Sequence, residues 1–207
     1  MKFLKKAAAL LMAAAMAFSI TACSSSDEVV AEVNDNEITQ SQLDSFIAIS
    51  TEMLGEDMED VDDEAAQQFL DELVQIEALK IYYEGKDDDV YGDDFDTAAQ
   101  SFVDSAHDSD QEYLDQFSIS DEDLKDYYGG QFLVSALYTE IQQEYTQDEL
   151  YALSQAYYEE NREQFKNEDG SYMELDDVIQ TVYYYIYSEF YSDRIDEIMA
   201  DMDVEYR

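Results

Sequence analysis

A single thiol and a single imidazole bound the chemistry that this 207-residue chain can perform. Covalent catalysis needs a nucleophile within hydrogen-bond reach of a base of near-neutral pKa, held in turn by a third group. The one histidine, His107, sits in the polar run Ser105-Ala106-His107-Asp108 and reads as a solvated loop residue. The one cysteine, Cys23, stands far from it in sequence, after Ile20-Thr21-Ala22. No nucleophile and base can be assembled from this inventory, and the chain is expected not to be an enzyme. Carboxylates are abundant, as in Asp87-Asp88-Asp89 with Asp93-Asp94 and in Asp108, Asp110 and Glu112. Neither group has the loop glycine and terminal glutamate of an EF-hand at the required offsets. They read as a diffuse cation atmosphere, with no specific metal and no cofactor expected.

Aromatic residues are the second resource, with 18 tyrosines and 10 phenylalanines. Tyr183, Tyr184, Tyr185, Tyr187 and Tyr191 go all the way round one helix, so packing buries every ring only if both sides of that helix are covered. With Tyr127, Tyr128, Tyr157 and Tyr158 they offer apolar faces with polar tips. Such rings hold extended peptide without demanding a particular sequence, provided that a contiguous subset stays exposed. Tyr183, Tyr184, Tyr187, Tyr191, Tyr127, Tyr128, Tyr157 and Tyr158 are the candidate binding residues.

The N-terminal segment places Cys23 in a distinct setting. Lys2, Lys5 and Lys6 precede an Ala/Met/Leu-rich run that ends at Ile20-Thr21-Ala22-Cys23, and Ser24-Ser25-Ser26-Asp27-Glu28 follows. The apolar run is shorter than the roughly 20 residues that a helix needs to cross a bilayer. The pattern resembles a bacterial lipoprotein signal with its lipobox. That resemblance implies cleavage between Ala22 and Cys23, lipidation of Cys23, a signal peptide over residues 1–22 and a tether over 23–28. The mature protein would then be held on the extracytoplasmic face of the cell envelope by its lipid alone.

Beyond residue 22 all 52 acidic residues face only seven basic ones, Lys80, Lys86, Lys125, Arg162, Lys166, Arg194 and Arg207. Such a field repels nucleic acid and anionic membrane surfaces, which excludes both as ligands. High charge accompanies disorder when apolar residues are scarce, but 46% of this chain is apolar, and it should fold. With one cysteine no disulfide forms within the protomer, and packing alone must hold the fold. The absence of proline fits a mainly helical chain.

The elements follow from periodicity. Residues 29–33 are β-branched and precede the turn Asn34-Asp35-Asn36, giving a brief strand. Thr39 and Gln42 form a capping box for a helix with Leu43, Phe46, Ile47, Met53 and Leu54 on one face. A second helix over 63–83 carries Ala66, Leu70, Leu73, Ile76 and Leu79, widened by Phe69 and Val74. A third, shorter helix bears Ala98, Phe102 and Ala106 and gives way to a polar stretch before the Ser120 cap. The pattern over 121–145 is helical, with a kink or break predicted at Gly129-Gly130. Thr146 and Glu149 cap the next helix, and a last long helix spans 175–202, with Val178, Val182, Ile186, Phe190, Ile195 and Ile198. Residues 204–206 form a closing strand. The expected fold is mainly α, one multi-helix domain over 29–207, with a minimal β pairing between residues 29–33 and 204–206.

Two segments carry a family resemblance. Val30-Ala31-Glu32-Val33-Asn34 followed by Ile38-Thr39, and later Tyr157-Tyr158-Glu159-Glu160-Asn161 with Phe165, resemble the SurA/PrsA-type exported foldases. In that family the first segment reads Val-Ala-x-Val-Asn-Gly-x-x-Ile-Thr, and here Asp35 replaces the glycine. After the second segment the family inserts a parvulin prolyl-isomerase domain, whereas only residues 166–172 fill that gap here. The resemblance implies a chaperone core without the isomerase, similar to the peptide-binding part of those foldases and of trigger factor. Its partners would be unfolded or partly folded exported polypeptides. Two rival readings are a surface ligand- or cation-binding lipoprotein and an accessory subunit that docks one dedicated partner.

The anchoring expectation is directly testable. Replacing Cys23→Ala should shift the protein from the detergent phase to the aqueous phase, and unchanged partitioning would refute lipidation at this residue.

Overall fold

The computed structural model describes residues 28–55, 61–86, 90, 92, 95–167 and 169–207. The expected signal peptide, Ala22, Cys23, the tether to residue 27 and the carboxylates of residues 87–89, 93 and 94 lie outside them. Strands β1 (Val29–Val33) and β2 (Asn36–Thr39) form a hairpin, and β3 (Val204–Tyr206) adds to the other edge of β1. Both pairings are antiparallel, so Ala31 lies opposite Ile38 on one side and Tyr206 on the other. The pairing of residues 29–33 with 204–206 is therefore as expected.

Asp35 stands where the resembled foldases have glycine, and this hairpin turn does not require one there. Asn34, not residue 35, takes the left-handed conformation at φ 54°, which asparagine tolerates well. Asn34 also ties the turn to the far end of the chain. Its backbone N–H donates to the Asp203 carbonyl at 2.7 Å, and its side-chain oxygen accepts from the Asp203 N–H at 2.9 Å.

Among the described residues six α-helices follow: α1 (Gln40–Leu54), α2 (Asp63–Glu84), α3 (Phe95–Phe117), α4 (Asp121–Gln143), α5 (Gln147–Glu160) and α6 (Leu175–Met199). Thr39 with Gln42, Ser120 with Asp123 and Thr146 with Glu149 close reciprocal capping boxes at α1, α4 and α5. The main core gathers β1, β2, α1, α2, α4 and the end of α6 around Val33, Leu43, Leu70, Val74, Leu79, Leu133, Leu137 and Ile195. A second cluster, with Ile49, Val103, Leu114 and Leu124, joins α3 to α1 and α4. A third, with Tyr158, Phe165, Val178, Val182 and Ile186, joins α5 to the first half of α6.

Three expectations are corrected. The third helix is not short: α3 continues to Phe117 through the polar stretch, bent at Asp110 (φ −142°, ψ 40°). Its buried stripe is Ala99, Val103 and Leu114, one residue on from the expected Ala98 and Phe102. Polar residues suit its outer face because they pair one turn apart, Gln100 with Asp104 at 2.9 Å and Gln111 with Asp115 at 2.8 Å. Met53 and Leu54, expected on the buried face of α1, are 62% and 66% exposed, because they lie in the last turn, beyond the packed segment and just before Gly55. The last helix stops at Met199 rather than 202, and a turn then swings β3 back onto β1.

The Gly129-Gly130 pair lies within one continuous α4, without the predicted kink or break. What it provides is proximity: a Cβ on Gly130 would stand 2.9 Å from Ile76 Cγ2 and 3.1 Å from its Cδ1. At Gly129 a Cβ would meet only Phe95 Cζ, at an ordinary 3.6 Å. The two glycines should therefore respond oppositely to alanine. Gly129→Ala should raise unfolding free energy by up to about 1 kcal/mol through helix propensity. Gly130→Ala should lower it by about 1–3 kcal/mol by pushing α4 off α2. Urea titration of both variants measures the difference, and Ile76→Ala should lessen the added cost of Gly130→Ala.

Candidate functional site

Helix α6 buries opposite faces in its two halves. Val178, Val182 and Ile186 recur every four residues and rest on α5 and Phe165. Ile195 and Ile198 enter the main core, and at about 100° per residue they lie roughly half a turn round from the first three. The tyrosine-rich stretch occupies the crossover, where neither face is fully covered. This answers the question posed by tyrosines on every side of one helix: both sides are covered, but at different heights.

A run of rings results, in two neighbouring groups. Tyr157 of α5 stacks on Tyr185 at 5.9 Å, Tyr185 meets Tyr184 edge-on at 5.7 Å, and Tyr138 of α4 stacks on Tyr191 at 4.4 Å. Tyr184 lies near enough to Tyr138 to raise its phenol pKa, after the larger effect of burial. Tyr184 is 68% exposed and Tyr185 40%, whereas Tyr138, Tyr157 and Tyr191 are half-buried beneath them. Burial, then Tyr138 and Glu72, push the Tyr191 phenol up to about 12. Burial is also the main reason that the Tyr157 phenol is raised, followed by Tyr185 and Glu189. Tyr138, Tyr157 and Tyr191 therefore stay neutral donors at physiological pH.

The candidate tyrosines thus separate by environment. Tyr184 is open to a ligand, while Tyr157 supports Tyr185 from α5 and Tyr191 rests on Tyr138. Tyr158 is not available: it is 6% exposed, stacks on Phe165 at 5.4 Å and donates its hydroxyl to the Met173 carbonyl. Tyr183 and Tyr187 are half-buried, and Tyr187 packs edge-on against Phe190 at 6.4 Å. Tyr127 and Tyr128 lie elsewhere, half-buried between α1, α3 and α4, against Phe46, Phe95 and Phe102. Tyr185 and Tyr138 complete the run and were not among the candidate binding residues. Tyr185 had a signal in the triple Tyr183-Tyr184-Tyr185, while Tyr138 depends on where α4 meets α6.

A second apolar feature was missed entirely. Ile49, Met53, Phe102, Tyr113, Leu114 and Ile119 line an open cleft of about 230 Å³ between α1, α4 and the bend of α3. Exposed Met53 stands at its edge, and methionine adapts to ligands of varied shape.

The short connection between α5 and α6 is tightly closed. A 3₁₀ turn, Arg162–Gln164, leads to Lys166, which bridges Tyr172 in antiparallel fashion, with the Asn167 N–H donating to the Ser171 carbonyl at 2.8 Å. Asp108, Asp110 and Glu112 lie on α3, and among the described residues no three potential metal ligands gather at one point. No helix among the described residues is long and apolar enough to cross a membrane. No protein-family model, curated protein or solved structure matches the chain.

His107 proves to be a helical residue of α3, not a loop residue, and its exposed ring links α3 to the start of α4. Nε2 lies 2.7 Å from Asp121 Oδ1, and Nδ1 lies 2.7 Å from Gln111 Oε1. Two acceptors favour the doubly protonated ring, and the Asp121 hydrogen bond, then Gln111, raises its pKa above the usual value. A raised folded-state pKa stabilises the protein fully below the unfolded value, about 6.5, and the gain disappears as pH rises through the folded value. Melting of wild type against His107→Gln should therefore show wild type ahead at acidic pH, with the gap closing above the raised pKa. A gap independent of pH would show that the imidazolium contributes nothing.

Proposed function

We propose that this protein is a lipid-anchored, extracytoplasmic holdase that binds unfolded exported polypeptides and releases them without covalent chemistry. The observation that carries this reading is the ring run on α4, α5 and α6, open to solvent at Tyr184 and Tyr185. Tyrosine presents a large rigid surface at little entropic cost and tolerates many partners. The α1/α3/α4 cleft and the exposed Met53 and Leu54 add apolar surface on a different part of the fold. Scattered apolar sites suit varied extended segments, whereas one dedicated partner is better served by a single compact patch.

The resemblance to SurA/PrsA-type foldases supports the same reading, since its fold expectation, a helical body closed by both chain ends, agrees with the architecture. The bridge between Lys166 and Tyr172 brings the two ends of the short α5–α6 connection together, which supports a core without the inserted isomerase domain of those foldases. Holding rather than prolyl isomerisation is the activity that this arrangement supports. The lipid at Cys23 would keep the holdase where chains emerge from the membrane. A single acyl group binds weakly, so firm retention requires the several chains of a bacterial lipoprotein.

The test is suppression of a client's aggregation. Apolar holding is insensitive to screening, whereas charge attraction fades once the Debye length falls below its value of about 8 Å at physiological salt. Suppression should survive raised salt, while Tyr184→Ser with Tyr185→Ser should weaken client binding about tenfold through lost apolar contact. Both variants must melt as wild type does, which exposed positions permit. Activity that vanishes in salt but persists in the serine variants would refute the tyrosine surface.

A further inference from the structure

We propose that the Tyr157–Tyr185 stack, together with Glu189, is a receptor for lysine and arginine side chains, so that the favoured clients are extended segments carrying both basic and apolar residues. This inference rests on the holdase reading and specifies its substrate class.

The protein displays the recognition chemistry twice within its own fold. Lys86 Nζ lies 4.1 Å from the centre of the Tyr82 ring while pairing with Glu140 at 3.0 Å. The Arg162 guanidinium sits 4.4 Å and Lys166 Nζ 5.0 Å from the centre of the Tyr172 ring. There Glu163 accepts both from Lys166 and from the Tyr172 hydroxyl, each at 2.6 Å. In each case an aromatic face and a carboxylate together hold a cation, and Tyr172 holds two, the ring quadrupole adding to the ion pair.

Among the described residues, the stack on α5 and α6 has the same two components and no cation over it. Tyr157 and Tyr185 are parallel to within 17°, and Glu189 follows Tyr185 by one helical turn, on the same face. Glu189 is exposed, close enough for its charge to act on Tyr157, and makes no ion pair among the described residues. The chain has almost nothing to spare for it. Of its seven basic residues beyond the N-terminal segment, Lys80, Lys86, Arg162, Lys166, Arg194 and Arg207 are already paired with carboxylates. The seventh, Lys125, precedes Tyr138 by 13 residues on α4, about 20 Å along the axis. Among the described residues no cation lies over either ring, so one bound at this stack would come from a partner, and the acidic surface around it steers basic segments toward it.

Binding of labelled peptides of one flexible, leucine-containing host sequence separates the elements. A single guest position carries arginine, lysine, norleucine or glutamate, and anisotropy is measured at physiological salt. The arginine and lysine peptides should bind wild type about three- to tenfold more tightly than the norleucine peptide. Glu189→Gln and Tyr185→Leu should each reduce that ratio toward one, and Glu189→Gln should leave norleucine binding unchanged. Glu189 is exposed, so its variant retains the fold even where Tyr185→Leu loosens α5. Equal binding of the arginine and norleucine peptides to wild type would overturn this inference and leave the holdase reading intact. A preference that persists in both variants would also overturn it, assigning the selectivity to the acidic field as a whole. Failure of every peptide to bind would overturn both.

Discussion

The constraint on which the rest of the molecule depends is that one helix must satisfy two cores on opposite faces. The first half of α6 seals α5 and the Phe165 turn, and its second half completes the main core beside the sheet. A helix covered along a single stripe would leave its other side polar. Here the apolar side changes over within the tyrosine-rich stretch, and residues there need bodies that pack and tips that tolerate water. Tyrosine meets both demands at every angle around the axis. The exposed rings are thus the geometric by-product of joining two cores with a single rod, and a binding surface arises where the coverage changes sides.

Electrostatics works mostly against this arrangement. Carboxylates outnumber cations about fivefold, and surface ion pairs contribute only about 0–1 kcal/mol each. Their placement matters more than their number. Lys80–Glu77, Arg162–Glu159 and Lys166–Glu163 are local pairs within a helix or turn. Lys86–Glu140, Arg194–Glu144 and Arg207–Glu32 instead join α2 to α4, α6 to the end of α4, and the last residue to β1. The few cations are used where distant segments must stay together against mutual repulsion. Cohesion comes from the buried aliphatic core, whose members Leu70, Leu79, Leu133, Leu137 and Val182 are 0–1% exposed.

What sequence revealed was largely what neighbouring residues decide. The boxes at Thr39 and Thr146 were legible because cap and partner are three residues apart, and the terminal strands because β-branched runs stand out beside turn residues. Features that depend on a remote neighbour were not. Gly130 looked like a helix breaker, since nothing near it indicates that Ile76 fills the space above it. The polar run on α3 looked like a loop, since only packing on α4 shows that one wet face is enough for that helix. The tyrosines were legible as a resource, but which of them are open depends on where α4 ends and α5 begins alongside α6. Tyr158 is the sharpest case: it is identical in type to its neighbour Tyr157 but is rotated into the third cluster.

The sheet has a consequence for how the chain reaches this state. Strand β1 lies between a partner that follows it within a few residues and one that arrives some 170 residues later, and Arg207 still donates its N–H to the Val30 carbonyl. During synthesis from the N terminus the β1–β2 hairpin can form early, but one edge of β1 stays unpaired until residues 204–206 have been made. Contacts of such long sequence separation are slow to form because loop closure precedes the gain. The same delay applies to the main core, which lacks Ile195 and Ile198 until then. Assembly therefore waits for residues 195–206, and until they are made the nascent protein exposes an open strand edge.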